Sequence, residues 1–215
     1  FYQDFIDKEG DNFDTVSLTL GWSSDTRNNA ILPTQGMSQS LTAEVAVPVG
    51  SLQYYKLRYK NNWYKPLSDT YTLSLGGELG YGDSYGDTDA FPFFENFYAG
   101  GIRSVRGFQS NTLGQTEDDE ALGGTLLVTA SAEVIFPVPF FKKTLRAFRL
   151  SAFADAGNVY GEDEDFEADL LRYSVGVGAV WLSPFGAVSV SIAQPFNEQS
   201  DDETENFQFS LGSSF

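Results

Sequence analysis

The sequence contains no cysteine and no histidine among its 215 residues. These absences exclude disulfide bonds, thiolate-ligated or histidine-ligated zinc sites, and hydrolases that use a Ser-His or Cys-His pair. No apolar run reaches the roughly 18 residues that a membrane-spanning helix needs, so a helical membrane protein is also excluded. We expect no enzymatic activity, no cofactor, no bound metal and no nucleic-acid partner.

Aromatic residues and glycine, in contrast, are abundant, at 15% of the chain and 21 of 215 residues. Apolar residues alternate with Ser, Thr and Gly over about ten residues at a time, as in strands with one face in lipid. Nine such segments begin near Thr15, Ser40, Tyr55, Thr70, Leu126, Phe148, Arg172, Val188 and Phe207. Their length fits the apolar height of an outer membrane, so the pattern predicts an all-β, antiparallel transmembrane β-barrel.

The third segment identifies the inner face of the predicted sheet. Lys56, Arg58 and Lys60 share one side of it. Each cation would cost about 2 to 4 kcal/mol at mid-depth in lipid, so this side faces an aqueous or protein-filled lumen. The same alternation places Glu133 and Asp155 on the inner side of two neighbouring strands.

The charged residues are distributed unevenly between the two ends of the predicted strands. Most of the 30 acidic residues lie in residues 1–14, 83–120, 162–169 and 198–205, whose loops all fall on one side. The opposite connections carry cations, at Arg27, Lys65, Lys142 and Lys143. We expect the long acidic loops to be extracellular and solvated, and the short turns and the carboxyl terminus to be periplasmic.

An odd number of strands leaves the barrel incomplete. Bacterial single-chain barrels have an even count, and unpaired backbone groups in lipid cost several kcal/mol each. Three ways of completing the barrel stay open: sequence outside this chain, a second copy of the chain, or closure of the sheet on itself.

Four sequence segments resemble the carboxy-terminal part of the BamA family of outer-membrane β-barrel assembly factors. They are residues 95–101 (Glu-Asn-Phe-Tyr-Ala-Gly-Gly), 105–112 (Val-Arg-Gly-Phe-Gln-Ser-Asn-Thr), 193–196 (Ala-Gln-Pro-Phe) and 207–212 (Phe-Gln-Phe-Ser-Leu-Gly). The Val-Arg-Gly-Phe tetrapeptide is highly specific to the superfamily, which includes TamA and the two-partner secretion transporters. The resemblance covers essentially the whole chain.

The resemblance implies an architecture. Residues 1–215 would be the last nine strands of a sixteen-stranded barrel, without the periplasmic POTRA domains and the first seven strands. The long loop, residues 83–122, would be extracellular and would fold back into the lumen.

The resemblance also implies a site. In BamA-like proteins a loop arginine meets acids on neighbouring barrel strands, and the matching positions here are Arg106, Glu133 and Asp155, with Val105, Gly107 and Phe108 completing the loop motif. The alternative is that Glu133 and Asp155 are ordinary hydrated groups of the lumen.

The last segment resembles the β-signal by which outer-membrane proteins are recognised for assembly. Its residues are Phe207, Phe209, Leu211, Gly212 and the terminal Phe215, and Ser213 departs from the usual pattern. A simple lipid-facing strand explains the same alternation and is compatible with this interpretation.

The implied function is assembly: a central component that folds and inserts β-barrel proteins into the bacterial outer membrane by templating strands at a barrel seam. The expected partners are outer-membrane lipid and lipopolysaccharide, nascent outer-membrane proteins, accessory assembly lipoproteins that bind mainly the absent POTRA domains, and a second copy of the fragment. The alternatives are a two-partner secretion transporter or passive pore, an outer-membrane hydrolase, which the missing histidine disfavours, and a truncated half-barrel without independent activity.

Overall fold

The computed structural model describes residues 2–10, 12–117, 120–138, 147–184 and 186–212. Within these ranges the chain forms one α-helix, α1 (Tyr2–Glu9), two short 3-10 helices (Phe93–Glu95 and Ala168–Leu170) and thirteen β-strands. The strands are β1 (Ser17–Asp25), β2 (Gly36–Ala46), β3 (Tyr54–Pro66), β4 (Thr72–Ser84), β5 (Gly107–Phe108), β6 (Gln115–Glu117), β7 (Glu120–Gly123), β8 (Leu126–Phe136), β9 (Phe148–Tyr160), β10 (Arg172–Ser183), β11 (Gly186–Phe196), β12 (Thr204–Glu205) and β13 (Phe207–Gly212).

Nine of these strands form a single antiparallel sheet in the order β1-β2-β3-β4-β8-β9-β10-β11-β13. Every neighbour in the sheet is also the next long strand along the chain, so the sheet is an up-and-down meander. In the described residues β1 pairs only with β2 and β13 only with β11, which leaves the sheet open. The predicted all-β class and the nine strands are confirmed.

The outer face of this sheet is apolar and exposed. Its side chains include Leu18, Leu20, Leu79, Val177, Ile192 and Phe209, each more than half exposed. The inner face carries Ser, Gly and charged residues, in the alternation that the sequence predicts. Such a surface is suited to lipid on one side and water or protein on the other.

The amino-terminal residues differ from the expectation. Residues 1–14 were grouped with the acidic, solvated loops, but Tyr2–Glu9 forms α1. Phe5 of this helix is buried, with its ring 5.4 Å from that of Phe13 and 5.5 Å from that of Phe93. The helix is therefore held by aromatic packing against the long loop. Among the described residues, no helix has the length and apolar character needed to span a membrane.

Several strands are longer than predicted. β9, for example, continues to Tyr160, although its alternation ends near Asp155. Val159 and Tyr160 are both fully buried. Here the end of the strand is covered on both sides, so the two-residue period that marks a half-buried strand disappears.

The long connection between β4 and β8, residues 85–125, is here called the motif loop. It contains β5, β6 and β7 and lies against the inner face of the sheet. Its apolar residues form a buried cluster with two strand residues: Phe97, Ala99, Val105, Phe108 and Leu113 from the loop, and Leu127 and Val159 from β8 and β9. The loop is thus a packed part of the fold.

Candidate functional site

The loop motif, residues 105–108, lies within this packing. Val105 and Phe108 are fully buried in the cluster, one on each side of Arg106. Gly107 adopts a φ of +93°, and a Cβ atom there would lie 3.1 Å from the Cβ of Ala193 in β11. The left-handed conformation and the close approach both favour glycine, which lets the chain turn and direct the Arg106 side chain at the sheet.

Arg106 makes a two-point contact with Asp155. The guanidinium Nε donates to Oδ2 at 2.7 Å and Nη2 donates to Oδ1 at 2.9 Å, while the Arg106 backbone N–H donates to Oδ2 at 3.1 Å. The Asp155 side chain is fully buried and that of Arg106 is 12% exposed. A planar guanidinium meeting both oxygens of one carboxylate is the strongest form of charge-assisted hydrogen bonding.

Three further residues complete the surroundings of the guanidinium. Nη2 donates to Ser131 Oγ at 3.2 Å, and that hydroxyl donates to Asp155 Oδ1 at 2.7 Å. Glu133 is more distant, with Nη1–Oε2 at 3.4 Å. The Phe153 ring lies beneath the cation, its centroid 3.3 Å from the guanidinium carbon. We call Ser131, Glu133, Phe153 and Asp155 the anchor pocket.

The strand register explains why these four residues meet. β8 and β9 are antiparallel neighbours, with Ser131 opposite Asp155 and Glu133 opposite Phe153. All four side chains point to the inner face. The motif loop therefore contacts two opposed residue pairs on two hydrogen-bonded strands, and these strands give the loop arginine a rigid support.

The electrostatics keep the arginine charged. Burial acts to lower the pKa of Arg106, but the hydrogen bond to Asp155 and the charges of Asp155 and Glu133 raise it above its ordinary value. A buried cation with one fully paired carboxylate and a second nearby can hold a loop in place.

The sequence placed Arg106, Glu133 and Asp155 as one set, and the structure brings the three together. The sequence did not single out Phe153 or Ser131, although the alternation of β8 and β9 places both side chains on the inner face. The signal that could have found them is position: they are the residues directly opposite Glu133 and Asp155 in a register that pairs these strands.

Gln208 was also missed. It lies on the inner side of β13, is 3% exposed, donates to the carbonyl of Phe108 at 2.7 Å and accepts from the N–H of Gly107 at 3.3 Å. The motif is therefore tied by its backbone to the last strand as well as by its arginine to β9. The outward alternation of Phe207, Phe209 and Leu211 gives no signal for the inward Gln208.

The whole chain, residues 1–215, matches the model of the Omp85 superfamily domain. The chain belongs to the Omp85 superfamily. It is 39% identical to the outer membrane protein assembly factor BamA of Neisseria meningitidis serogroup B, with 100% of this chain and 31% of that protein covered. It is 29% identical to BamA of Nitratidesulfovibrio vulgaris, over 97% of this chain and 26% of the relative.

A eukaryotic relative and a solved structure agree with this membership. The mouse sorting and assembly machinery component 50 homolog is 28% identical, over 98% of this chain and 48% of its own. The crystal structure of BamA from Haemophilus ducreyi lacking POTRA domains 1–3 superposes with a TM-score of 0.88 at 27% identity, covering 99% of this chain and 47% of that one. The open nine-stranded sheet is thus part of an outer-membrane β-barrel fold of the BamA type, and this Omp85 chain spans under a third of the two BamA relatives' length.

The last strand of this Omp85 chain carries the residues compared above with a β-signal. Phe207, Phe209 and Leu211 point outward and are each more than half exposed, and Gly212 is the last described residue. Phe215 lies outside the described residues. The outward row fits a lipid-facing strand, as the alternation predicts, and its role as a signal stays a prediction.

Proposed function

We propose that this chain is the barrel segment of a bacterial assembly factor that folds and inserts β-barrel proteins into the outer membrane. The relatives are an outer membrane protein assembly factor, BamA, and a sorting and assembly machinery component, and these names support this activity. The observation that carries the proposal is the two-point contact between Arg106 and Asp155, which fastens a family-specific loop motif to the inner wall.

The proposed mechanism is strand templating at a seam. In the complete barrel, the last strand closes against strands that this chain does not contain. When that seam opens, its backbone groups lack partners in lipid, at several kcal/mol for each unsatisfied group. An incoming strand relieves this cost by adding to the exposed edge, as in β-augmentation.

The motif loop would brace the wall while the seam opens. Arg106 holds the loop to β8 and β9, and Gln208 links the same motif to β13, the strand that borders the seam. Removing one partner of a buried ion pair costs about 3 to 5 kcal/mol because it leaves a charge unpaired. A loop held at this strength can keep its position although the neighbouring strand edge is free.

The proposed topology and partners follow from the two faces of the sheet. The apolar outer face would contact lipid and lipopolysaccharide, the acidic loops would be extracellular, and the carboxyl terminus periplasmic. Nascent outer-membrane proteins would be the substrates. Accessory lipoproteins would bind mainly parts of the protein that lie outside this chain.

The test is Arg106→Ala in the full-length protein, with Arg103→Ala as the matched control. Arg103 belongs to the same loop but is exposed. We expect Arg106→Ala to lower the amount of assembled outer-membrane porins in cells depleted of the wild-type factor, and Arg103→Ala to leave it near wild type. Normal assembly with Arg106→Ala, together with steady ion conductance of the purified protein, would instead favour a passive pore or secretion transporter.

A further inference from the structure

A second buried ion pair lies outside the anchor pocket, at the start of β10. Arg172, the first residue of β10, contacts Asp202, with Nε–Oδ2 at 2.9 Å and Nη2–Oδ1 at 2.9 Å. The two side chains are 6% and 2% exposed. This is again a guanidinium fork on both oxygens of one carboxylate.

The position of Asp202 corrects the expectation for its loop. Residues 197–206, here called the β11–β13 loop, include an acidic run that was expected to be solvated. Asp202 instead points into the protein, and its Oδ2 also accepts from the N–H of Gln199 at 2.8 Å. One carboxylate in the run therefore organises the turn of the loop and holds it to β10.

β9 supports both arginines. The Nη1 of Arg172 donates to Oδ1 of Asn158 at 2.9 Å and to the carbonyl of Leu170 at 3.0 Å. Asn158 is 2% exposed and lies three residues after Asp155, the partner of Arg106. The two cations thus have their acceptors on one short stretch of a single strand.

From Asp202 the chain leads directly to the loop motif. The carbonyl of Glu203 accepts from the N–H of Gln109 at 2.8 Å. β12 then pairs with β5, with Thr204 opposite Phe108 and Glu205 opposite Gly107. The backbone of the motif is therefore one strand of a small ladder whose other strand is fixed by Asp202.

We propose that Arg172 and Asp202 are positioning residues for the loop motif. The pair fixes the β11–β13 loop, the loop presents β12, and β12 holds β5 in register beside Arg106. The motif is then clamped from two sides: by Arg106 on β8 and β9, and by a ladder that depends on Arg172. This inference deepens the proposed bracing role. The positioning itself is a structural claim, and only its effect on assembly in the cell rests on the proposed function.

The test uses a disulfide as a reporter of the ladder. These 215 residues contain no cysteine, so an introduced pair has no competing thiol within them, and any cysteine elsewhere in the full-length protein is first replaced by serine. Gln109 and Glu203 occupy the next opposed positions after Phe108 and Thr204, where antiparallel Cα atoms lie about 4.5 to 5.5 Å apart, within the range of a disulfide. The full-length protein carrying Gln109→Cys and Glu203→Cys is purified in detergent, and the rate of crosslinking under mild oxidant is measured.

Three substitutions are then added to this background. Asp202→Asn removes the carboxylate that Arg172 contacts, and we expect the crosslinking rate to fall about tenfold or more because a buried charge loses its partner. Arg172→Lys keeps the charge without the fork, so an intermediate rate is expected. Asp201→Asn removes the same charge from the neighbouring exposed residue and is expected to change nothing.

The heat-modifiable folded band on gels reports whether each variant keeps its barrel. An Asp202→Asn protein that keeps this band and loses crosslinking supports the proposal. If the Asp202→Asn protein loses the folded band, the crosslinking rate of the Arg172→Lys protein is used instead, and a reduced rate supports the proposal. Unchanged crosslinking in the folded variants, or an equal loss with Asp201→Asn, overturns it. The crosslinking rate does not depend on assembly activity, so a negative result here refutes the positioning role without refuting the proposed function.

Discussion

The Phe153 ring lies directly beneath Arg106, with the guanidinium carbon 3.3 Å from the ring centroid. The arginine is thus held by the face of the Phe153 ring as well as by the hydrogen bonds that its N–H groups donate to Asp155. A desolvated cation over an aromatic face gains about 2 kcal/mol. The ring belongs to the strand that also carries Asp155, so both attractions act on the same strand.

Phe153→Leu tests this contribution. The variant keeps an apolar side chain but lacks the ring, so we expect the full-length protein to unfold at a lower urea concentration, with a loss of about 1 to 2 kcal/mol. Phe209→Leu is the control, because Phe209 is 69% exposed on the outer face and, among the residues that the structure describes, no cation lies over its ring. Equal effects of the two substitutions would show that the ring contributes only apolar area.

The two carboxylates of the anchor pocket are predicted to contribute unequally. Asp155 is fully buried and makes the fork with Arg106, whereas Glu133 is 3.4 Å away and 22% exposed. We expect Asp155→Asn to cost about 3 to 5 kcal/mol, since it breaks a buried pair, and Glu133→Gln to cost about 1 kcal/mol or less. Chemical unfolding of both variants checks the order, and the reverse order would contradict the geometry.

Gly80 of β4 lies under a ring of the motif loop. A Cβ atom there would come within 2.7 Å of Phe97, whose ring atoms are its nearest neighbours. Gly80→Ala is therefore expected to push Phe97 out of the buried cluster and to increase proteolytic cleavage of the loop. Phe97→Leu in the same protein is expected to restore part of the resistance, because the shorter side chain leaves room for the methyl group. No rescue would mean that the strand itself is disturbed.

Gln208 is predicted to hold the motif to the last strand. Gln208→Glu keeps the shape but cannot donate to the carbonyl of Phe108, and it adds a charge near Glu205, whose carboxylate Gln208 contacts at 3.4 Å. We expect a loss of about 1 to 3 kcal/mol from the unpaired buried groups. Gln109→Glu, the same change on an exposed residue of the motif loop, serves as the control in the same unfolding experiment.

Much of the fold follows from the sequence because the period of a half-buried strand is two. That period assigned nine strands and placed Glu133 and Asp155 on the inner face. It could not assign α1, a short helix whose apolar residue Phe5 packs against a distant loop. It also could not extend β9 to Tyr160, where both faces are covered.

The site was accessible to sequence reasoning only in part. Arg106 could be named because its tetrapeptide is distinctive. Asp202 could not, since it stands in a run of similar acids and only the folded loop singles one out. Gln208 was hidden for a related reason: in a strand with outward aromatics, one inward amide has no distinguishing pattern until its partner, the backbone of Phe108, is in place.

The most direct measurement of the central claim is a double-mutant cycle between Arg106→Ala and Asp155→Ala in the full-length protein, followed by urea unfolding and by the level of assembled porins. If the loop braces the wall through this contact, the double variant will be no worse than either single variant, with a coupling of about 3 kcal/mol. Additive losses in stability and assembly would contradict the account.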